Sequence, residues 1–184
     1  MITFRRVPAD DVQLNESIEI LNKRVFPYAT STSDLHWLAS HFEGAPADFI
    51  AIEEDRDFRG YAYIINFFQA SFVSLFAIVP EYHDKGYGTK LLMHLREMQG
   101  DRPIVLTAFA VHSGKEDVDT CARRRMFYIK NGYIDQHIPF PSEEYYSSDV
   151  YVNGANLSYI ELMATLDKVN AFFNSLHIHH LGIE

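Results

Sequence analysis

Residues 72–92 read FVSLFAIVPEYHDKGYGTKLL, and this stretch decides the fold. An apolar run, Phe72–Val79, ends at Pro80 and passes through a glycine-bearing loop, Glu81–Gly88. A helix is predicted over Thr89–Met98, with Leu91, Leu92 and Leu95 on its apolar face. Gly86 and Gly88 let the backbone turn tightly and aim several N–H groups into one space. The first helical turn adds unpaired N–H groups and a partial positive charge. A buried strand feeding such a turn is an anion site best suited to phosphate, and Lys85 and Lys90 add charge beside it. The dinucleotide fingerprint fails, because Leu91 stands where its third glycine belongs. The P-loop fingerprint fails because the order is Gly88-Thr89-Lys90. By itself the Gly-x-Gly turn is equally an ordinary strand-to-helix connection.

Outward from this segment the chain alternates strands and helices. Ile2–Val7 reads as a strand, and Asp10 and Asp11 open a helix carrying Leu14, Ile18, Leu21 and Val25 on one face until Pro27. Ser33 or Asp34 is the expected cap of a short helix with Leu35, Trp37, Leu38 and Phe42, broken at Gly44 and Pro46. Strands at Asp48–Glu53, Tyr61–Phe68 and Ser71–Val79 follow, joined by EDRDFRG and Gln69-Ala70, as an antiparallel meander. After Gly100 and Pro103, Ile104–Val111 is nearly all apolar, as expected of a strand covered on both faces. A polar connection, His112–Asp119, leads to a helix from Asp119 or Thr120 to Lys130, stopped by Asn131-Gly132. Two strands, Tyr133–Phe140 and Tyr145–Val152, precede a last helix from Ser158. There Ser158 and Glu161 form a capping box ahead of Leu162, Leu166, Val169 and Phe173. The fold class is α/β, a mixed central sheet of about seven strands with helices on both faces.

The 184 residues fit one domain, 1–184, with 152–184 as a C-terminal helical extension. A composition 47% hydrophobic and 22% charged excludes a disordered, collagen-like or coiled-coil chain. One cysteine, Cys121, excludes an internal disulfide and points to a reducing compartment, the cytoplasm. The N-terminal residues carry no signal-peptide pattern, and no apolar run is long enough to cross a bilayer. A formal charge of −9 argues against nucleic acid and anionic membranes as partners and is compatible with a cationic substrate. His177, His179 and His180 have no carboxylate or cysteine motif beside them, so no metal site is assigned.

The spacing resembles motif A of the GNAT acyltransferase superfamily, Arg/Gln-x-x-Gly-x-Gly/Ala after an apolar strand and proline. Here it reads His83-Asp84-Lys85-Gly86-Tyr87-Gly88 behind Phe76-Ala77-Ile78-Val79-Pro80, with His83 where Arg or Gln is usual. Downstream, Arg125-Met126-Phe127-Tyr128-Ile129-Lys130-Asn131-Gly132-Tyr133 is similar to motif B, a helix with a tyrosine four residues before Gly-Phe/Tyr. The order of elements over about residues 2–152 resembles the family as well.

The resemblance implies an N-acetyltransferase that passes an acyl group from acetyl-CoA, its co-substrate, directly to a small-molecule or peptide amine. The N–H groups of Lys85, Gly86, Tyr87, Gly88 and Thr89, flanked by His83, Asp84 and Lys90, would hold the pyrophosphate. The strand edge at Ala77, Ile78 and Val79 would pair with the pantetheine arm. A bulge is expected near Ala77–Ile78, freeing an N–H to polarise the thioester carbonyl. Tyr128 matches the general acid that protonates the CoA thiolate. Cys121 stands where the family often places a CoA-contacting Asn; a small buried hydrophobe is the other reading. Arg125, with Arg123 and Arg124, is either a phosphate contact or part of a solvated helix face.

Ser74 occupies the position of the family's usual glutamate base, so the base is unassigned, with His112 and Glu81 as alternatives. Asp34, His36, Trp37, His41, Tyr28 and Tyr63 lie where the family's acceptor pocket is usually lined. The missing glutamate also keeps open a non-catalytic acyl-CoA-binding or sensor domain. A nucleotide- or phosphosugar-binding protein is disfavoured by both failed fingerprints. The extra C-terminal helix serves either a homodimer or simply as a cover for the sheet.

Overall fold

A computed structural model describes residues 1–27, 29–111, 117–140, 148–154 and 156–180. Strand β1 (Ile2–Val7) leads to helices α1 (Val12–Val25) and α2 (Thr32–His41). Strands β2 (Ala47–Glu54), β3 (Asp57–Asn66) and β4 (Ser71–Ile78) form the meander. A short 3-10 turn, Pro80–Tyr82, precedes α3 (Tyr87–Gln99) and β5 (Ile104–Phe109). Helix α4 (Val118–Lys130), β6 (Ile134–Pro139), β7 (Ser148–Asn153) and α5 (Tyr159–His180) complete the chain. One sheet holds all seven strands in the order β1-β2-β3-β4-β5-β7-β6, antiparallel except for β4 beside β5.

The strands bury both faces. Phe49, Tyr61, Tyr63 and Val105 pack with Leu14 and Ile18 of α1, Leu35 and Leu38 of α2, and Leu162, Leu166 and Val169 of α5. The alternate residues Ile50, Ile52, Ala62, Ile64 and Leu106 pack with Leu91, Leu92 and Leu95 of α3 and Tyr128 of α4. Two deeply buried phenols are satisfied: Tyr61 donates to Asn22 Oδ1 at 2.7 Å and Tyr63 to the Leu35 carbonyl at 2.8 Å. No helix among the described residues is long and apolar enough to cross a membrane.

Several boundaries differ from the sequence reading for identifiable reasons. Helix α2 is capped by Ser31, not Ser33 or Asp34, because Glu19 reaches across from α1 and accepts from both the Thr32 amide and hydroxyl. The turn between β2 and β3 is only Asp55-Arg56, both at positive φ (53° and 74°), so EDRDFRG is mostly strand. Helix α3 begins at Tyr87, two residues before the expected Thr89. Helix α4 is capped by Asp117, and the Ser158–Glu161 box at α5 forms as expected. The start of the expected strand Tyr145–Val152 lies outside the described residues.

Candidate active site

The site is built on a phase slip in β4. Tyr63 opposes Leu75 and Ile64 opposes Val73, so Ser74 is an extra, unpaired residue. The bulge is therefore at Ser74 rather than near Ala77–Ile78. Its effect shows in the core: Phe72 and Ala77, five residues apart, share one face, and Val73 and Ile78 share the other. An uninterrupted strand would place each pair on opposite faces. The slip falls where β4 parts from β5, whose last shared pair is Val73 with Leu106. Beyond it the two strands no longer pair with each other, and Ser74, Leu75 and Phe76 become half-exposed.

The register also fixes which groups face the opening. The Val79 N–H donates to the Arg59 carbonyl at 2.9 Å, so Arg59 and Val79 form a hydrogen-bonded pair. By alternation Tyr61–Ala77 is another, whereas Ala62–Phe76 and Gly60–Ile78 are not. The amides of Ala77 and Val79 thus point into the sheet. Those of Phe76 and Ile78 point to the open side, where the Ile78 carbonyl lies 2.9 Å from His83 Nε2. His83 is held to the strand edge by its side chain.

The loop leads from this edge into α3. Gly86 is the N-cap residue, in the left-handed conformation (φ 82°), and makes no side-chain cap. The first intrahelical bond runs from the Lys90 N–H to the Gly86 carbonyl, leaving the N–H groups of Tyr87, Gly88 and Thr89 for another acceptor. Each of the other four described α-helices has a side-chain cap, from Asp11, Ser31, Asp117 and Ser158. The two glycines serve different ends. Gly86 adopts a backbone conformation that other residues adopt only at a cost. Gly88 makes room, since a Cβ there would stand 3.0 Å from Cζ of Phe127 on α4. Lys85 Nζ lies 4.9 Å from the Tyr82 ring and Lys90 Nζ 5.6 Å from the Tyr87 ring.

Helix α4 faces the same opening. Phe127 packs near Phe76, ring centroids 6.1 Å apart. Tyr128 is buried beside Phe127, Tyr133 and Tyr151, with centroids at 5.4, 5.8 and 5.7 Å. Burial pushes the Tyr133 and Tyr151 phenols above their usual range. Cys121, two turns earlier on the same side, is buried. Arg125 forms an ion pair with Asp135 of β6 at 3.2 Å. It stands about 200° around the helix from Phe127, so its guanidinium is drawn to β6 rather than to that ring's side.

The remaining sequence candidates are dispersed. Glu81 pairs with Arg24, and a backbone amide together with that arginine holds its carboxyl below the usual range, which suits a base poorly. His36 bonds Asn15 at 2.8 Å, with burial pushing its pKa down; Trp37 stacks on His41; Asp34 accepts from Ser31. Tyr63 is sealed in the core rather than lining a pocket. Tyr28, His112 and the side chains of His177, His179 and His180 lie outside the described residues. Sequence reasoning missed Glu54 and Arg59, which lie beneath the loop. Neither belongs to a local motif, and no signal in the sequence marks them.

A strand that splays from its neighbour at a bulge and runs into an uncapped helix is the arrangement that the resemblance to the acyltransferase superfamily implies. Residues 45–135 match the family model described as an acetyltransferase (GNAT) domain, and over that span the chain carries that family's domain. Among solved structures it is similar to a protein described as a GNAT-family acetyltransferase from Bacteroides thetaiotaomicron, at 23% identity and TM-score 0.70, covering 99% of each chain. It is also similar to the PaiA N-acetyltransferase of Thermoplasma acidophilum in complex with coenzyme A (16%, TM-score 0.60, 84% of this chain and 99% of that one). A third is the ribosomal-protein-S18-alanine N-acetyltransferase of Escherichia coli (16%, TM-score 0.59, 86% and 100%). At these identities the likeness establishes the fold. No curated protein sequence matches the chain.

Proposed function

We propose that the whole chain is a single acyltransferase domain that moves an acyl group, most simply acetyl, from acyl-CoA to a primary amine by direct attack in a ternary complex. The observation that carries this reading is the continuity of two backbone surfaces that no strand or side-chain cap covers: the open edge of β4 beyond Ser74 and the uncapped N-terminus of α3. One suits the amides of a pantetheine arm and the other its diphosphate. The Phe76 N–H, first on the open edge past the bulge, is the donor for the thioester carbonyl; such a donor is worth about 2.7–4 kcal/mol in a transition state. To seat the arm, His83 must share or release the Ile78 carbonyl.

Tyr128 is the general acid for the departing thiolate, its phenol held in place by three neighbouring rings. His83, Asp84, Lys85, Gly86, Tyr87, Gly88, Thr89 and Lys90 form the phosphate cradle. Cys121 packs as a small apolar residue, and Arg124, one turn before Tyr128, is better placed toward the cleft than Arg125. A buried Cys121 as the chain's one cysteine fits a reducing compartment, and we place the enzyme in the cytoplasm.

Ser74 favours one second reading. It stands at the bulge without a basic group, which suits an acyl-CoA binder with weak chemistry or an enzyme that captures amine already neutral. Calorimetric titration with acetyl-CoA, CoA and ATP tests the proposal. Micromolar binding of both CoA species with little for ATP supports it, and turnover on an amine library then separates enzyme from binder. Absence of binding by either CoA species refutes the cradle.

A further inference from the structure

Beneath the cradle lies a buried charge that the family motif does not account for. Arg59, at the start of β3, is 8% exposed, and its Nε is buried with no hydrogen-bond partner. The residue meets the segment 79–87 at three successive points. Its backbone carbonyl accepts from the Val79 N–H at 2.9 Å. Its guanidinium lies 4.1 Å from the centroid of the Tyr82 ring. Its Nη2 lies 3.8 Å from Glu54 Oε2, the oxygen that accepts from the Tyr87 phenol at 2.5 Å. Tyr82 and Tyr87 flank the turn His83–Gly86, and their rings meet edge to face at 5.8 Å. Asp57, 3.1 Å from Nη2, holds the guanidinium from the solvent side.

We propose that Arg59 is a positioning residue for the phosphate cradle: it fixes the conformation of residues 82–87 from below and places a poorly solvated positive charge under the bound diphosphate. This rests on the acyl-CoA reading above. A buried ion pair is seldom the most stable filling for its space, and an apolar residue of similar size often does as well. A buried donor left without a partner likewise calls for an explanation. Both features occur together at a residue whose contacts lead, through Tyr82 and Glu54, to Tyr87, the first residue of α3. Glu54 and Asp57 already pair with the guanidinium, and an anion in the cradle would add to the charges that favour it there.

The test compares acetyl-CoA with S-acetylpantetheine, which carries the same thioester arm without the diphosphate, on the wild type and on Arg59→Met and Arg59→Lys. Arg59→Met is expected to weaken acetyl-CoA at least tenfold while changing S-acetylpantetheine less than twofold. Arg59→Lys, which restores charge without the planar stack, is expected to recover part of the loss. Equal weakening of both ligands, or none for acetyl-CoA, overturns the proposal. Amide hydrogen exchange on the free protein gives an arm independent of CoA, since Tyr87–Thr89 should exchange faster in Arg59→Met. If the wild type binds no CoA the functional reading fails, and exchange alone decides whether Arg59 holds the loop; unchanged exchange would sink that as well. Should Arg59→Met not fold, Tyr82→Leu removes the stacked ring, leaves Arg59 in place and should reproduce the loss for acetyl-CoA.

Discussion

Gly60→Ala should damage both the fold and the proposed site, and its cost can be worked from the geometry. Gly60 opposes Ile78 on β4, and an added Cβ would lie 2.3 Å from the Ala77 carbonyl oxygen, 2.9 Å from Ile78 Cα and 2.7 Å from Ile78 Cδ1. The Cδ1 can rotate away; the other two atoms are backbone. Restoring ordinary contact requires β4 to retreat by about 1 Å. That retreat stretches the 2.9 Å bond from the Val79 N–H to the Arg59 carbonyl. Overpacking of this kind costs about 1–3 kcal/mol, and a weakened backbone bond adds about 0.5–1.5 kcal/mol. A total near 2–4 kcal/mol, at about 2–4 °C per kcal/mol for a domain of this size, lowers Tm by about 5–15 °C. Urea unfolding followed by circular dichroism measures the loss. The same displacement moves the edge presenting Phe76 and Ile78, so acetyl-CoA affinity should fall as well. Gly44→Ala is the control: a Cβ there meets nothing within 4 Å, so its cost is the left-handed backbone at φ 77° alone, and affinity should hold. A Gly60→Ala variant within 0.5 kcal/mol of wild type would refute the close-approach argument.

Tyr128→Phe should slow turnover about a hundredfold or more, the low end of what positioned proton transfer contributes, with acetyl-CoA affinity held within a few-fold; an unchanged rate would remove Tyr128 as the acid. Ser158→Ala deletes the hydroxyl that accepts from the Glu161 N–H and should cost about 1 kcal/mol, read as a fall in Tm with no change in affinity. For Glu19, burial raises the carboxyl, but hydrogen bonds from the Thr32 hydroxyl and amide and from Lys23 outweigh it and leave it below its ordinary 4.5. Its folded pKa is depressed, so its stabilising contribution is present above pH 4.5 and disappears as pH falls through the folded value. The stability gap between wild type and Glu19→Gln should therefore be open at pH 6–7 and close toward pH 3; a gap constant across that range contradicts the assignment.

The elements themselves were legible because each carries its period or its stop locally. Leu14, Ile18 and Leu21 mark one face of α1, Gly100 and Gly132 mark helix ends, and the Ser158–Glu161 box marks the start of α5. What escaped depends on partners far along the chain. Ser31, Thr32, Ser33 and Asp34 can each cap a helix; the choice falls to Glu19, which lies on another helix. The two-residue turn at Asp55-Arg56 lacks the glycine that usually announces positive φ.

The bulge at Ser74 shows the limit most sharply. A bulge can be read from sequence only as a break in the inside–outside pattern, and β4 has almost no such pattern. Phe72, Val73, Leu75, Phe76, Ala77 and Ile78 are apolar because both faces of the sheet are covered. A slip of one residue moves every following side chain to the other face, yet here it exchanges one apolar residue for another. The slip is visible only against β3. It also explains the division between what the motif reveals and what it hides. The proposed cradle is made of backbone N–H groups whose placement needs glycine at one position and space at another, so it leaves a local trace at Gly86 and Gly88. The support we propose for it is a side-chain assembly drawn from the β2–β3 hairpin, at Glu54, Asp57 and Arg59. Any sequence that folds the hairpin back to this point can supply it, and so it leaves no trace in the loop it holds.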